Sequence, residues 1–451
     1  MELSRYKLRY GGKSQNIFSL PERAHLSGAE QMMCALLSRS RDGLEILDTA
    51  DENVLHLFLD LVSENELTGF VLETIYLLKL EPKIRALSID HHGTRVDLMT
   101  LLTRQSGLEA IKFQKFEKKF LEFLQLTREL NSQIVWFKGI VTSRLYYSSP
   151  EYRLSGDFDC FVEPRYFEDL FKTLYLNDFR VIADDTGFCN QVGVGPVSAP
   201  ADLFLAPSPE FVPSAVCGMQ RNHWPLVDIK VNPLDRGLKM IELDRFMRNV
   251  ISIPWRGTTF SAPDLLDQLL ITLTHLEKDR FLGWKQLLDV KLIAEKINET
   301  PDLWSEFARR CQIEGVSTAC AAGLALAVER LKLQNVERII SQLEPKNSGF
   351  LRRILTFTVT PLFYWNASSF LMLLANAQMS DDSRRKLRIL WSSVIPSEAF
   401  LKRYYSRNSI SGLLLYLCAL PVHWIVLFLP GGLTRRTVGR FIWSDKQFGV
   451  D

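Results

Sequence analysis

The chain has 451 residues, nearly half of them apolar (47%), about a quarter charged (24%), and a formal net charge of +2. That length exceeds one ordinary core, and the composition is that of a folded globular protein of two or three domains. So even a charge balance gives no basis for a nucleic-acid partner, which calls for a basic stripe. The seven cysteines, at 34, 160, 189, 217, 311, 320 and 418, form no CxxC pair and no zinc spacing. An odd, scattered set fits a reduced cytoplasmic protein better than a disulfide framework.

The first residues, MELSRYKLRYGGKSQN, are basic and lack the apolar stretch of a secretory signal. From about 21 to 130 apolar positions recur three and four apart, as in VLHLFLDLVSENELTGFVLETIYLLKL and FQKFEKKFLEFLQLTREL, which predicts helices. Ser27 with Glu30 has the form of a capping box, and Asp51 is a second cap.

The character changes near 131. Gln133 to Phe137 is a short β-like run ending at Lys138-Gly139, where a helix from Ile140 to Tyr147 begins. Phe158 to Val162, Phe179 to Ala183 and Leu226 to Val231 read as further strands, with a helix, RYFEDLFKTLYLN, after the first of these. A Gly/Pro/Ser-rich stretch from Asp184 to Asn222 reads as a loop or weak hairpin insertion. Strands mixed with helices over this region indicate a compact α/β or α+β domain.

From Pro263 the pattern is helical again, in DLLDQLLITLTHLEK, WKQLLDVKLIAEKI and TACAAGLALAVERLKL. The expected organisation is a helical region over 1–130, a mixed core over 131–260 and a helical domain over 261–451. Ser409 to Thr434 carries no charge and is long enough to span a bilayer, which takes about 20 apolar residues. Pro421 divides it into two short arms, and basic residues flank both ends. The expectation is a buried or membrane-lying helix pair, with residues 411–430 as the peripheral membrane contact, rather than a span.

Ser155-Gly156-Asp157-Phe158-Asp159 carries the chemistry. Residues two apart on a strand share a face, so Asp157 and Asp159 project together while Phe158 turns to the core. Adjacent carboxylates repel unless a cation lies between them, and such hard oxygen ligands suit Mg²⁺ with substrate phosphates. A DxD pair alone also marks sugar-nucleotide sites of glycosyltransferases. Lys138-Gly139 adds a strand-to-helix joint whose backbone amides can receive a phosphate, with glycine permitting close approach. Asp228 lies within an apolar strand, sharing a face with Leu226 and Lys230; a carboxylate there is costly without a partner.

The string VWFKGIVTSRLYYSSPEYRLSGDFDCFVEP resembles the core of nucleotidyltransferases of the DNA polymerase β superfamily. More closely, it resembles a bacterial family of uncharacterised nucleotidyltransferases. The matching elements are Lys138-Gly139, Tyr146, Arg153, Gly156-Asp157-Phe158-Asp159 with Val162, and Val227-Asp228. Leu282-Gly283-Trp284 through Asp289 is similar to the family's later helical segment. Two departures stand out. Lys138-Gly139 replaces the superfamily's Gly-Gly or Gly-Ser, and the segment before Asp228 is longer than usual, which leaves Asp235 as a competing third acid.

The resemblance implies an α+β fold, a polymerase β-like mixed sheet between helical regions. It also implies two Mg²⁺ ions and transfer of a nucleoside monophosphate from an NTP, ATP foremost, to a hydroxyl acceptor. In that reading Asp157 and Asp159 bind both ions, while Asp228 binds one and helps deprotonate the hydroxyl. Two ions about 3.5–4 Å apart stabilise the attacking and leaving oxygens. Lys138, Gly139, Arg153 and Gly156 are the expected nucleotide contacts, with Lys138 and Arg153 offsetting the triphosphate charge. The acceptor could be a small molecule, a peptide or a protein. The rivals are a toxin-like protein-modifying transferase and a catalytically silent nucleotide-binding or membrane-associated scaffold. His223, the His91-His92 pair and Trp284 read as structural, and no cysteine is given a catalytic role.

Overall fold

In a computed structural model, the described residues run from 27 to 343 apart from 92, 185–216, 222–223, 231, 235–240, 279–280 and 282, with 381, 387 and 391 besides. Asp235, His223, His92, Leu282 and the apolar stretch 409–434 therefore lie outside the described residues. Leu26–Lys278 and Gly283–Leu343 form one compact unit, to which every element below belongs.

The unit opens with helices α1 (Gly28–Ser38), α2 (Glu52–Glu64) and α3 (Thr68–Leu77), followed by a long helix α4 (Leu98–Leu126). The Ser27/Glu30 capping box forms as expected, and the Asp51 side chain accepts from Val54 N–H at the start of α2. A two-stranded hairpin, β1 (Ser88–His91) with β2 (Thr94–Asp97), precedes α4.

The rest of the site's scaffold is a mixed sheet. Its strands are β3 (Ile134–Trp136), β4 (Asp157–Val162), β5 (Arg180–Asp184), β6 (Cys217–Gln220), β7 (Leu226–Lys230), β8 (Ile251–Trp255) and β9 (Thr258–Ala262). They lie in the order β5-β6-β7-β4-β3-β9-β8. The β7/β4 and β3/β9 pairs are parallel; the others are antiparallel. Helix α5 (Gly139–Tyr146) follows β3, and α6 (Pro164–Leu176) follows β4. Strand β6 falls within the segment read as a loop or weak hairpin and pairs antiparallel with β5, while the β8/β9 hairpin was not expected from the sequence. β8 and β9 are only five residues each, β8 carries Pro254 and an Arg256-Gly257 turn joins them, and these breakers mask their alternation in the sequence.

The strand period of two sorts the side chains onto two faces. Phe158, Cys160 and Val162 of β4, with Val227 and Ile229 of β7, join one core with Phe113, Phe116, Phe120 and Phe123 of α4 and Phe167, Leu170, Phe171 and Leu174 of α6. Phe120 alone makes edge or tilted ring contacts with Trp136, Phe158, Trp255 and Phe260. Such pairs add about 1 kcal/mol each beyond area burial. Because that face is filled, Asp157, Asp159, Asp228 and Lys230 are turned to the other one. There α7 (Leu243–Arg248) sets Phe246 against Phe161.

Helices α8 (Leu265–Lys278), α9 (Trp284–Asn298), α10 (Leu303–Glu314), α11 (Ser317–Leu331) and α12 (Glu337–Leu343) complete the unit. Among the described residues no helix is long and apolar enough to cross a membrane.

Candidate active site

Parallel pairing of β4 with β7 sets Asp159 directly beside Asp228, with Asp157 two residues back on β4 beside Leu226. Neighbouring strands are about 4.8 Å apart, so the two acids meet across the ladder. Both face one cation: Lys230 Nζ lies 3.4 Å from Asp228 Oδ2 and 3.7 Å from Asp159 Oδ1. Lys138 Nζ donates to the same Asp159 Oδ1 at 2.8 Å. The Phe137 ring stands beneath both ammonium groups, 5.7 Å from that of Lys138 and 5.9 Å from that of Lys230. A ring face at this distance favours positive charge.

These contacts split the two acids of the DxD pair. Burial raises the Asp157 carboxyl above the usual carboxylate range, and the negative charge of Asp159 raises it further. Burial also acts to raise Asp159, but the charges of Lys138, Lys230 and His275 outweigh it and hold that carboxyl low. Asp159 is thus a fixed anion within a cation pair, and Asp157 is the acid whose charge is under-compensated.

The loop that opens helix α5 adjoins the acids. Lys138 has φ 58° and ψ −132°, a region that side-chain-bearing residues rarely adopt. Its carbonyl accepts from Val141 and Thr142 N–H, so the helix starts at once with Gly139. The first amides of such a helix have no intrahelical acceptor and point outward along its axis. A side chain on Gly139 would bring its Cβ to 2.2 Å from Ser155 Oγ and 2.6 Å from Ser155 Cβ. Glycine is needed there for close approach. Ser155 Oγ in turn donates toward Asp157, at 3.1 Å to its carbonyl and 3.3 Å to Oδ1. A side chain on Gly156 would meet open space instead.

Arg153 is directed elsewhere. Its Nε and second terminal nitrogen donate to the Asp289 carboxylate at 2.8–3.1 Å, and its other terminal nitrogen donates to the Leu154 carbonyl at 2.8 Å. Both side chains are buried. Tyr147 Oη donates to Asp289 Oδ1 at 2.8 Å, and Lys285 Nζ donates to the Leu154 carbonyl at 3.1 Å. Tyr146 Oη donates to Gln268 Oε1 at 2.8 Å, tying α5 to α8. The structure therefore brings together Asp157, Asp159, Asp228, Lys138 and Gly139, while Arg153 holds the segment leading into β4 against α9.

Whether the acids fit a metal rests on their surroundings. Asp157 and Asp159 supply hard oxygens on one face, and the repulsion felt by Asp157 is what a cation relieves. Asp228 is held by Lys230, and among the described residues no group of three or more His, Cys, Asp or Glu side chains could hold a metal ion as it stands. The donor set thus fits Mg²⁺ at the Asp157/Asp159 pair. The sequence reading gave Lys230 no role, although period-two spacing from Asp228 signals its shared face. It missed His275 as well, for which no local signal exists.

Carboxylates paired across parallel strands of a mixed sheet, beside a helix opened by Lys-Gly, define an α+β protein whose acids adjoin a helix start. The family described as uncharacterised nucleotidyltransferase matches residues 55–332, more than half of the chain, and the protein belongs to that family. No curated protein and no solved structure matches it.

Proposed function

We propose that the protein transfers a nucleoside monophosphate from an NTP to a hydroxyl acceptor, releasing pyrophosphate. The observation that carries this reading is the register pair Asp159–Asp228, with Asp157 on the same face and the Gly139 helix start alongside. Bound at Asp157 and Asp159, Mg²⁺ would offset the triphosphate charge and polarise the α-phosphorus. The Gly139 amide, at the positive end of α5, donates to a phosphate oxygen. Gly156 lets the phosphates come close to the backbone entering β4. Lys138, ion-paired to Asp159 in a side chain still 10% exposed, is the cation positioned to turn toward the leaving pyrophosphate. Asp228 accepts the proton of the attacking hydroxyl. The acceptor oxygen bonds to the α-phosphorus as the bond to the pyrophosphate oxygen breaks. Arg153 acts through the backbone of Leu154 to Gly156, as a positioning residue, rather than on the phosphates.

ATP is the first nucleotide to try. The test is incubation of the purified chain with each NTP labelled at the α-phosphate, Mg²⁺, and small-molecule, peptide and protein acceptors. Label on an acceptor with matching pyrophosphate release supports the reading. Its absence, with every nucleotide and acceptor class, defeats it in favour of a silent nucleotide-binding role.

A further inference from the structure

Lys230 is the most deeply enclosed charge of the site, with a side chain 0% exposed. Strand alternation leaves it no choice of face. Val227 and Ile229 fill the core, so residues 226, 228 and 230 share the side of the acids. Its ammonium lies 3.4 Å from one oxygen of Asp228 and 3.7 Å from one of Asp159, between the two acids that register sets side by side. We infer that Lys230 is a built-in cation standing in for one of two metal ions, so that the carboxylates of this chain take a single divalent ion, on Asp157 and Asp159. This rests on the nucleotide-transfer reading and sharpens it.

Three physical points support the inference. A divalent ion bound to both Asp159 and Asp228 would sit within about 2.1 Å of their oxygens and only a few ångströms from the ammonium. Like charges at such separations repel strongly where little water screens them. Lys230 cannot withdraw, because a fully enclosed side chain has no solvent to move into. Lys138 differs, since it stands at a strand end with a side chain 10% exposed and can leave Asp159 when a phosphate arrives. Finally, the three acids and two lysines carry one net negative charge. A single divalent ion already reverses that sign, so before nucleotide binds the carboxylates attract no second ion.

Mn²⁺ bound to the full chain, with one equivalent of an α,β-methylene NTP, provides the test by electron paramagnetic resonance. The wild type should hold one ion with an isolated six-line signal. Lys230→Met, close in length and suited to burial, should take up a second ion and show an exchange-coupled pair. A coupled pair in the wild type overturns the inference and leaves nucleotide transfer standing. So does a Lys230→Met protein, folded by circular dichroism, that still binds only one. If that variant does not fold, the wild-type signal decides alone. No bound Mn²⁺ in the wild type would remove the metal-dependent reading and this inference together.

Discussion

Arg153 and Asp289, 136 positions apart in the chain, close a buried two-pronged ion pair that fixes the segment entering β4 to helix α9. The desolvation cost is met by geometry, since the carboxylate also accepts from Tyr147 Oη and the guanidinium also donates to the Leu154 carbonyl. Asp289→Asn leaves the Arg153 charge enclosed without its counter-charge. Unfolding in urea should report a loss of about 3 kcal/mol, the lower end for breaking a buried pair. Arg153→Lys keeps the charge but loses the fork, and should cost less than Asp289→Asn. If both variants match wild type, the pair does not anchor the segment.

The two acids of the DxD pair should respond oppositely to neutralisation. From sequence, removing either charge is expected to relieve repulsion and raise stability without metal. The structure restricts that to Asp157. Its folded pKa is raised, so its contribution to stability is present below the ordinary carboxylate range and is lost as pH rises through the raised value. At neutral pH it is a net cost. Asp159, whose folded pKa is lowered, contributes above its unfolded value and loses this only as pH falls through the folded one. Melting without divalent metal at pH 7.5 should therefore show Asp157→Asn above wild type and Asp159→Asn several degrees below. The Asp157→Asn gain should vanish on acidification to about pH 4. Equal shifts in the same direction would contradict the split.

Lys138 combines strain with charge, and two substitutions separate them. Lys138→Met keeps a side chain at φ 58°, while Lys138→Gly relaxes the backbone; both remove the ion pair to Asp159. Gly should be more stable than Met by about 1 kcal/mol. Both should raise the KM for NTP at least tenfold if the ammonium serves the triphosphate. A Met variant as stable as the Gly variant would mean that the loop stores no strain.

Much of this site is legible in the sequence because strand alternation is a strong local rule. Asp157, Asp159 and Asp228 are placed on one face by their two-residue spacing against Phe158, Val227 and Ile229, and the structure sets them there. The Lys138-Gly139 joint is legible for the same reason, as a strand end meeting helical periodicity. Pairings between distant segments leave no such mark. The partner of Arg153 lies on a helix far along the chain, and only the resemblance, through Trp284 to Asp289, hinted that this helix matters. Strand β6 was legible only as one arm of a weak hairpin, because its pairing with β5 and β7 is formed by backbone ladders at the end of a segment whose composition reads largely as loop. The effect of His275 on Asp159 comes from a residue of helix α8, 116 positions further along the chain, which no spacing rule encodes.

Gly139 gives the sharpest test of how the loop that opens helix α5 is built. In Gly139→Ala the new Cβ meets Ser155 Oγ at 2.2 Å and Ser155 Cβ at 2.6 Å, closer than atoms can stand. Alanine itself suits a helix start better than glycine does, so propensity alone predicts a gain. Overpacking should win and cost about 1–3 kcal/mol. The displaced Ser155 carries with it the hydroxyl aimed at Asp157, so the proposed nucleotide transfer should fall as well. Ser155→Gly removes both obstructing atoms. In a double-mutant cycle, Gly139→Ala made on top of Ser155→Gly should then cost much less than on the wild type, a coupling of about 1 kcal/mol or more. An additive cycle would mean that the close approach of Gly139 to Ser155 does not hold, and that the glycine serves the substrate rather than the packing of its own loop.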